Sequence, residues 1–397
     1  MWIKLMRILV TAEGIAQSTG GARVGILGLC RGLARRGHQV TLIATNADGK
    51  TVLDVPLGVP TLQEGVEVYF YPVQISILGN LFSISMAAAL KCHVAQSDIV
   101  LIHSIYRFTS TMAAYYCRKY NVPYILRPHG TLDPFLVYRR RRFLKWAYIN
   151  LFERINFKFA AAIQYSCQME EIVARSFIVT AAPSIVILEG IDLKEYATLP
   201  PRGILRARYP ELVNKTLILF LGRFHQKKGL ELLIDAFSLV ASRYPNVHLV
   251  LAGSGDQDYT KHITQRLNDV ELAHRSTITG QLDDDEKLAV LADADIFALS
   301  SHGENFGLAV VEAMACGLPV LISDKVGIGS DVAEYEAGIV TPCDPNQIAD
   351  AMGMMVNDFG LRIMLGRNGK KLVKERFSID IMAEKMEAEY QALCVND

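Results

Sequence analysis

The stretch Ile296-Phe-Ala-Leu-Ser300-Ser-His-Gly-Glu304-Asn-Phe306-Gly307-Leu308-Ala-Val-Val-Glu312-Ala-Met-Ala-Cys-Gly317-Leu-Pro-Val320-Leu-Ile-Ser323 holds one full cycle of the pattern that organises this chain. The apolar run Ile296–Ser300 reads as a buried strand. A helical pattern opens near Phe306 and stops at Gly317, and Pro319-Val-Leu-Ile-Ser reads as the next strand. Short apolar runs joined by helix-length segments indicate parallel strands covered on both faces.

The cycle repeats outward in both directions. Leu217-Ile-Leu-Phe-Leu-Gly, Val247-His-Leu-Val-Leu-Ala-Gly and Ser276-Thr-Ile-Thr-Gly are strands of the second half, with an amphipathic helix over Leu230 to Tyr244. In the first half the strands are Met6-Arg-Ile-Leu-Val-Thr, Gln39-Val-Thr-Leu-Ile-Ala-Thr, Asp98-Ile-Val-Leu-Ile-His and Pro123-Tyr-Ile-Leu-Arg, with a helix over Gly25 to Gly37 and another near Ser110–Tyr120. The expected fold is α/β, with two Rossmann-like, doubly wound parallel-sheet domains facing a central cleft. The first domain is expected over 1–190 and the second over 191–377, joined near Glu189–Pro201. A last helix, about 378–397, is expected to pack back on the first domain.

The chain has 397 residues, of which 51% are apolar, enough for large cores, so disorder is excluded. Its 41 Lys/Arg balance 41 Asp/Glu, so bulk nucleic-acid binding is not expected. The balance hides a split. Residues 1–189 carry 20 basic and 11 acidic groups, a net of +9, against 21 and 30, a net of −9, in 190–397. The seven cysteines show no CxxC spacing, which fits a reducing cytosol and no zinc site. Met1 to Val10 reads as a strand rather than a signal peptide, and no run is long and apolar enough to span a membrane. The expected location is cytoplasmic, with possible peripheral attachment to the inner face of the plasma membrane.

In open α/β sheets ligands sit beyond the carboxyl ends of strands. Four constellations fall there. Gly20-Gly21 follows the first strand, where backbone can approach a ligand and a helix can aim its N-terminus at a phosphate. Arg223 and Lys228, in Leu221-Gly-Arg-Phe-His-Gln-Lys-Lys-Gly229, are two cations on a turn into a helix and suit a diphosphate. In the opening stretch, the amides of Phe306, Gly307 and Leu308 would face an anion, while Glu304 and Glu312 can accept hydrogen bonds from sugar or ribose hydroxyls. His129, in Arg127-Pro-His-Gly, is expected on an exposed turn at a strand's carboxyl end. Asp283-Asp-Asp-Glu286 reads as a helix cap rather than a metal site. Arg139-Arg-Arg-Arg-Phe-Leu-Lys145, running on through Trp146 and Phe152, has two readings: a basic amphipathic helix on an anionic membrane, or a solvated face with Trp146 and Phe152 in the core.

Together these motifs resemble the retaining glycosyltransferases of family 4, which have the GT-B fold, and bacterial or cyanobacterial exopolysaccharide and envelope-polysaccharide enzymes among them. Glu304-Asn-Phe-Gly-Leu-Ala-Val-Val-Glu312 looks like the family's E-x7-E element. It is supported by Gly20-Gly21, Gly37-His38, Pro128-His129-Gly130, Leu188-Glu-Gly190-Ile-Asp192 and Gly222-Arg223 to Lys228-Gly229. Where the family typically reads Asn before Gly190, this chain has Glu189. The resemblance implies transfer of a hexose, with UDP-glucose as the first-choice donor, to a glycan or a lipid-diphosphate-linked acceptor, without a metal or other cofactor. It implies that Arg223 and Lys228 hold the diphosphate and that Glu312 holds the ribose. Glu304 would contact the donor sugar, Gly280, Gln281 and Leu282 would meet the base, and Gly21 and His129 would reach from the first domain. The alternatives are a nucleotide-sugar epimerase of the same architecture and a sugar-binding protein without chemistry.

Overall fold

The computed structural model describes residues 4–77, 80–132, 148–178 and 180–394, and it divides into two compact units. The first comprises Met1–Gly190 with Ile379–Asp397, and the second Ile191–Ser378.

The first unit is built on β1 (Arg7–Gly14), β2 (Gln39–Thr45), β3 (Ala47–Asp48), β4 (Thr51–Val52), β5 (Pro60–Gln63), β6 (Val66–Tyr71), β7 (Ile75–Ile77), β8 (Asn80–Phe82), β9 (Ile99–His103), β10 (Tyr124–Arg127), β11 (Ala162–Tyr165) and β12 (Ser184–Val186). Its helices are α1 (Gly21–Arg35), α2 (Ile84–Ala95), α3 (Phe108–Tyr120), α4 (Arg154–Lys158) and α5 (Gln168–Arg175). The main sheet runs β12-β11-β10-β9-β1-β2-β6-β5. Its strand pairs are parallel except for β5, which runs antiparallel to β6. Alternate residues of each strand serve opposite cores. Ile8 and Val10 join Leu29 and Leu33 of α1, whereas Leu9, Val100 and Ile102 join Leu90 of α2 and Cys117 of α3. Burial on both faces is why these strands read as continuous apolar runs. β3 pairs with β4 and β7 with β8 in two small antiparallel hairpins.

The second unit contains α6 (Ile204–Arg208), β13 (Thr216–Leu221), α7 (Leu230–Arg243), β14 (Val247–Ala252), α8 (Gln257–Asp269), β15 (Ser276–Gly280), α9 (Asp284–Asp293), β16 (Ile296–Leu299), α10 (Leu308–Ala315), β17 (Val320–Ser323), α11 (Gly329–Glu334), β18 (Gly338–Thr341), α12 (Pro345–Asn357) and α13 (Phe359–Arg376). Its parallel sheet runs β15-β14-β13-β16-β17-β18. Asp283 and Glu286 form a reciprocal capping box at the start of α9, so this acidic run does serve as a cap.

The join is more ordered than its lack of periodicity suggests. Glu189 is buried in the first unit, and Ile191 and Tyr196 are buried in the second. Ile191 N–H donates to Phe377 O over 2.8 Å, so the chain enters and leaves the second unit side by side. The last helix, α14 (Ile379–Cys394), lies with the first unit. Its Ile379, Met382, Ala383, Met386 and Tyr390 share a core with α1. Burying each large apolar side chain there contributes ~1.5–3 kcal/mol. Glu387 fixes the register, accepting from Arg36 Nε over 2.7 Å and meeting His38 Nε2 at 2.9 Å.

Candidate active site

Strand order locates the site in the second unit. β13 has β14 on one side and β16 on the other, so the order reverses between β13 and β16. Connections leave the carboxyl ends of these two strands in opposite directions and open a crevice for a ligand. The loops after them are Gly222–Gly229 and Ser300–Gly307.

These loops are fastened to each other. Ser300 Oγ donates to Gly229 O over 2.7 Å, and His302 N–H donates to Lys227 O over 2.9 Å. Gly229 has φ 64°, and a Cβ at that position would lie 2.1 Å from Ser300 O. Only glycine permits this closure. It brings Lys228, on the one-turn 3-10 helix Gln226–Lys228, to Glu304, whose Oε2 accepts from Lys228 Nζ. Glu304 is anchored by its backbone, donating to Lys325 O at 2.9 Å and accepting from Gly327 N–H at 2.8 Å. Lys228 and Glu304 are respectively 24% and 20% exposed in their side chains, so both remain open to a ligand. Arg223 is exposed and forms no ion pair among the described residues.

The helix begins later than expected, at Leu308 rather than near Phe306, with Gly307 as its N-cap at φ 99° and ψ 54°. The side chain of Phe306 is buried, its ring set edge-on to Phe377 with centroids 5.5 Å apart. Its backbone, not its ring, is therefore the part available to an anion, together with Gly307 and Leu308.

Glu312 lies in the second turn of α10 and is 6% exposed. Its Oε1 accepts from Tyr196 Oη over 2.8 Å and from Lys287 Nζ over 2.9 Å. Burial works to lower the Lys287 ammonium, but Glu312 outweighs it and the pKa is raised. Burial raises the Tyr196 phenol, and Glu312 raises it further. Neither partner was found from the sequence. Tyr196 stands 116 residues from Glu312 and Lys287 stands 25 away, so no local spacing carries the signal.

Gly280 closes β15, and Gln281 and Leu282 follow it at the carboxyl end of the same sheet. Gly253 N–H donates to Gly280 O over 2.9 Å, and Ser254 Oγ donates to Gln281 Oε1 over 2.9 Å. The structure thus brings Arg223, Lys228, Gly280–Leu282, Glu304, Phe306–Leu308 and Glu312 to the carboxyl side of one sheet.

Gly21 and His129 belong to the first unit. Gly21 is exposed and is the first residue of α1, after Gly20 at φ 61°. His129 is half-buried rather than on an exposed turn, with φ 50°. Its Nε2 lies 2.5 Å from His103 Nδ1, and the rings stack with centroids 4.8 Å apart. Burial, then the charge of Arg127, holds the His129 imidazole well below its ordinary pKa, so it is a neutral donor or acceptor. His103 closes β9 and was the residue missed here. It ends a strand read from the sequence, and that position was its one available signal. Arg127 is sealed at 1% exposure and donates to Glu189, so the residue that departs from the family pattern is the partner of the motif's own arginine. Gly130 N–H donates to Glu170 Oε1 over 2.5 Å and pins the turn.

Arg139–Lys145 and Trp146 lie outside the described residues. The continuation, Ile149–Glu153 with α4, can be read. Phe152 is 43% exposed and not in the core, and Leu151, Ile155 and Phe159 are exposed beside it at 65%, 45% and 56%. Among the described residues no helix is long and apolar enough to cross a membrane.

Two family models match the chain: glycosyltransferase family 4 over residues 19–195 and glycosyl transferases group 1 over 202–372. An uncharacterized glycosyltransferase of Methanocaldococcus jannaschii is 26% identical over 95% of both chains. The phosphatidyl-myo-inositol mannosyltransferase of Mycobacterium tuberculosis is 31% identical over 53% of this chain and 54% of its own length. Among solved structures, Anabaena HepE in complex with UDP and glucose aligns over 98% of this chain and 99% of its own, with TM-score 0.77 and 22% identity. The likeness places the two units in the same fold.

Proposed function

Because this chain belongs to the family 4 glycosyltransferases, with the GT-B fold, we propose that it transfers a hexose with retention from a nucleotide-sugar, UDP-glucose first, to a glycan or lipid-diphosphate-linked acceptor in polysaccharide assembly. The observation that carries this reading is the pairing of Lys228 with Glu304 at the switch point, on loops that also carry Arg223 and lead into α10.

The chemistry needs what these groups supply. The bond between the sugar C1 and the diphosphate oxygen breaks, and its electron pair stays on the diphosphate. Arg223, Lys228 and the amides at the start of α10 would neutralise that charge where it develops. Glu304 would orient the sugar through its hydroxyls, and the donor would release Lys228 from Glu304 by offering it a phosphate. An acceptor hydroxyl would attack C1 from the face the diphosphate leaves, giving its proton to the departing oxygen. Glu312 would hold the ribose, Gly280–Leu282 the base, and Gly21 and His129 would serve from the first unit. With two cations placed at the leaving group, transfer would proceed without a metal, and full activity in EDTA is the expected result. UDP-glucose is supported by Anabaena HepE, whose structure in complex with UDP-glucose aligns with TM-score 0.76.

The acceptor side would be the basic half. The exposed Leu151, Phe152, Ile155 and Phe159, continuous in sequence with Arg139–Lys145, support peripheral contact with an anionic membrane on the cytoplasmic face. Co-sedimentation with anionic vesicles at low salt tests this, and no binding there would remove the membrane from the reading.

A thermal-shift screen across nucleotide-sugars tests the donor, since a ligand of the native state raises Tm. Stabilisation by UDP-sugars is expected. Conversion of a UDP-sugar to another UDP-sugar without acceptor would identify an epimerase, and sugar binding indifferent to UDP a binding protein.

A further inference from the structure

We propose that Tyr196 and Lys287 are positioning residues that clamp one oxygen of Glu312 and leave the other to read the ribose hydroxyls of a nucleotide. The inference rests on the reading that the second unit binds a nucleoside diphosphate.

Three separate segments converge on this carboxylate. Tyr196 comes from the chain before α6, Lys287 from the first turn of α9, and Glu312 from α10. Both hydrogen bonds end on Oε1, and Oε2 takes none among the described residues. The geometry is closed on one side only. Tyr196 is 6% exposed, and the side chains of Lys287 and Glu312 are 18% and 8% exposed. Lys287 Nζ also sits 5.9 Å from the centre of the Tyr196 ring, which holds the two donors together. Asp284 is a looser second partner for Lys287, at 3.6 Å and 69% exposed.

The arrangement solves a specific difficulty. A glutamate near a ligand must be charged to accept strongly, yet an unpaired buried carboxylate gains a proton instead. Lys287 supplies the compensating charge and Tyr196 a neutral donor. Two donors on one oxygen fix the plane of the group, so the lone pairs of Oε2 are aimed rather than free to rotate. A carboxylate oxygen with two lone pairs can accept one or both hydroxyls of a vicinal diol. The pair therefore governs discrimination for ribose over deoxyribose, and not the strength of the phosphate contacts.

Isothermal titration of the full chain with UDP, GDP and ADP, and with their 2′,3′-dideoxy counterparts, tests it on wild type, Tyr196→Phe, Lys287→Met and Glu312→Gln. Wild type is expected to favour the ribonucleotide by about tenfold or more, as for a charge-assisted hydrogen bond, and Glu312→Gln to abolish the preference. Tyr196→Phe and Lys287→Met should each cut the preference roughly threefold or more, while affinity for the dideoxy forms stays within about twofold. A purely structural tie would lower Tm and leave the ratio alone. Folded Tyr196→Phe and Lys287→Met proteins with undiminished preference would overturn the positioning role and leave Glu312 as the ribose contact. A wild type that does not distinguish the sugars would overturn both. Tyr196→Phe removes only a hydroxyl, so it decides the matter if Lys287→Met does not fold.

Discussion

Arg127 and Glu189 form an ion pair sealed inside the first unit, the guanidinium side chain 1% and the carboxylate side chain 7% exposed. Burial raises the Glu189 carboxyl, and the charge of Arg127 works against that rise. The pair joins the last residue of β10 to the end of the unit's chain, two residues before it passes into the second unit. Removing one member strands the other. Glu189→Asn, which restores the residue the family typically places before this glycine, is expected to destabilise by roughly 3–5 kcal/mol. The double variant Arg127→Met with Glu189→Met should lose less, since no charge is left behind. Urea unfolding of the two proteins checks this, and a double variant as weak as Glu189→Asn would show that the pair is not the source.

The strands, and the edge of the second sheet that gathers the candidate residues, could be read in the sequence because each is a local pattern. An apolar run of strand length announces a buried strand, and the loop after such a strand lies at its carboxyl end. Boundaries that depend on one backbone angle were misplaced: the helix after Glu304 starts at Leu308, with Gly307 as its N-cap at φ 99°. An apolar residue is usually buried, which favours the core for Phe152, yet its side chain is exposed. The supporting residues were hidden altogether. His103 stands 26 positions from His129, and Tyr196 stands 116 from Glu312, distances over which only the folded sheet makes neighbours.

Lys228 and Arg223 should matter for turnover and hardly at all for folding. The Lys228–Glu304 pair is partly solvated, so Lys228→Ala should change stability by less than ~1 kcal/mol. Transfer should fall about 10²–10³-fold, as when one stabiliser of a developing anion is removed. Arg223→Ala, at an exposed cation, should do the same with no change in Tm. Initial rates at saturating donor check this, and near-normal transfer by a folded Lys228→Ala protein would sink the role given to it.

His248 makes the second unit acid-sensitive. It is 2% exposed on β14 and pairs with Thr277 Oγ1 at 2.9 Å. Burial lowers it to about 4 from the usual 6.5. Above 6.5 the imidazole is neutral in both folded and unfolded chains and has no effect. As pH falls from 6.5 toward 4 the unfolded chain takes up a proton that the folded one refuses, so stability drops. Below 4 the loss is complete, at ~3 kcal/mol. His248→Gln should flatten this slope. Urea midpoints at pH 7 and pH 5 decide it, and an unchanged slope in the variant would place the sensitivity at His103 and His129, which are also held low.

Glu387 should control whether α14 stays docked. Among the described residues it is the one acidic group through which this helix engages both Arg36 and His38, and its side chain is 5% exposed. In Glu387→Ala, Arg36, at 28% exposure, can turn to water, but His38 at 0% cannot. A buried polar group left without its partner costs about 1–3 kcal/mol. That loss falls on a helix also held by the apolar face of Ile379, Met382, Met386 and Tyr390, by Asp380 at 3.9 Å from Arg35 and by Cys394 Sγ, which donates to Asp98 O. Amide exchange across Ile379–Cys394 should therefore accelerate by ~10-fold or more, while exchange in β13 and β14 stays as in wild type. Equal acceleration in both places would mean that the variant loosens the whole chain, and no acceleration in α14 would mean that the helix stays docked without Glu387.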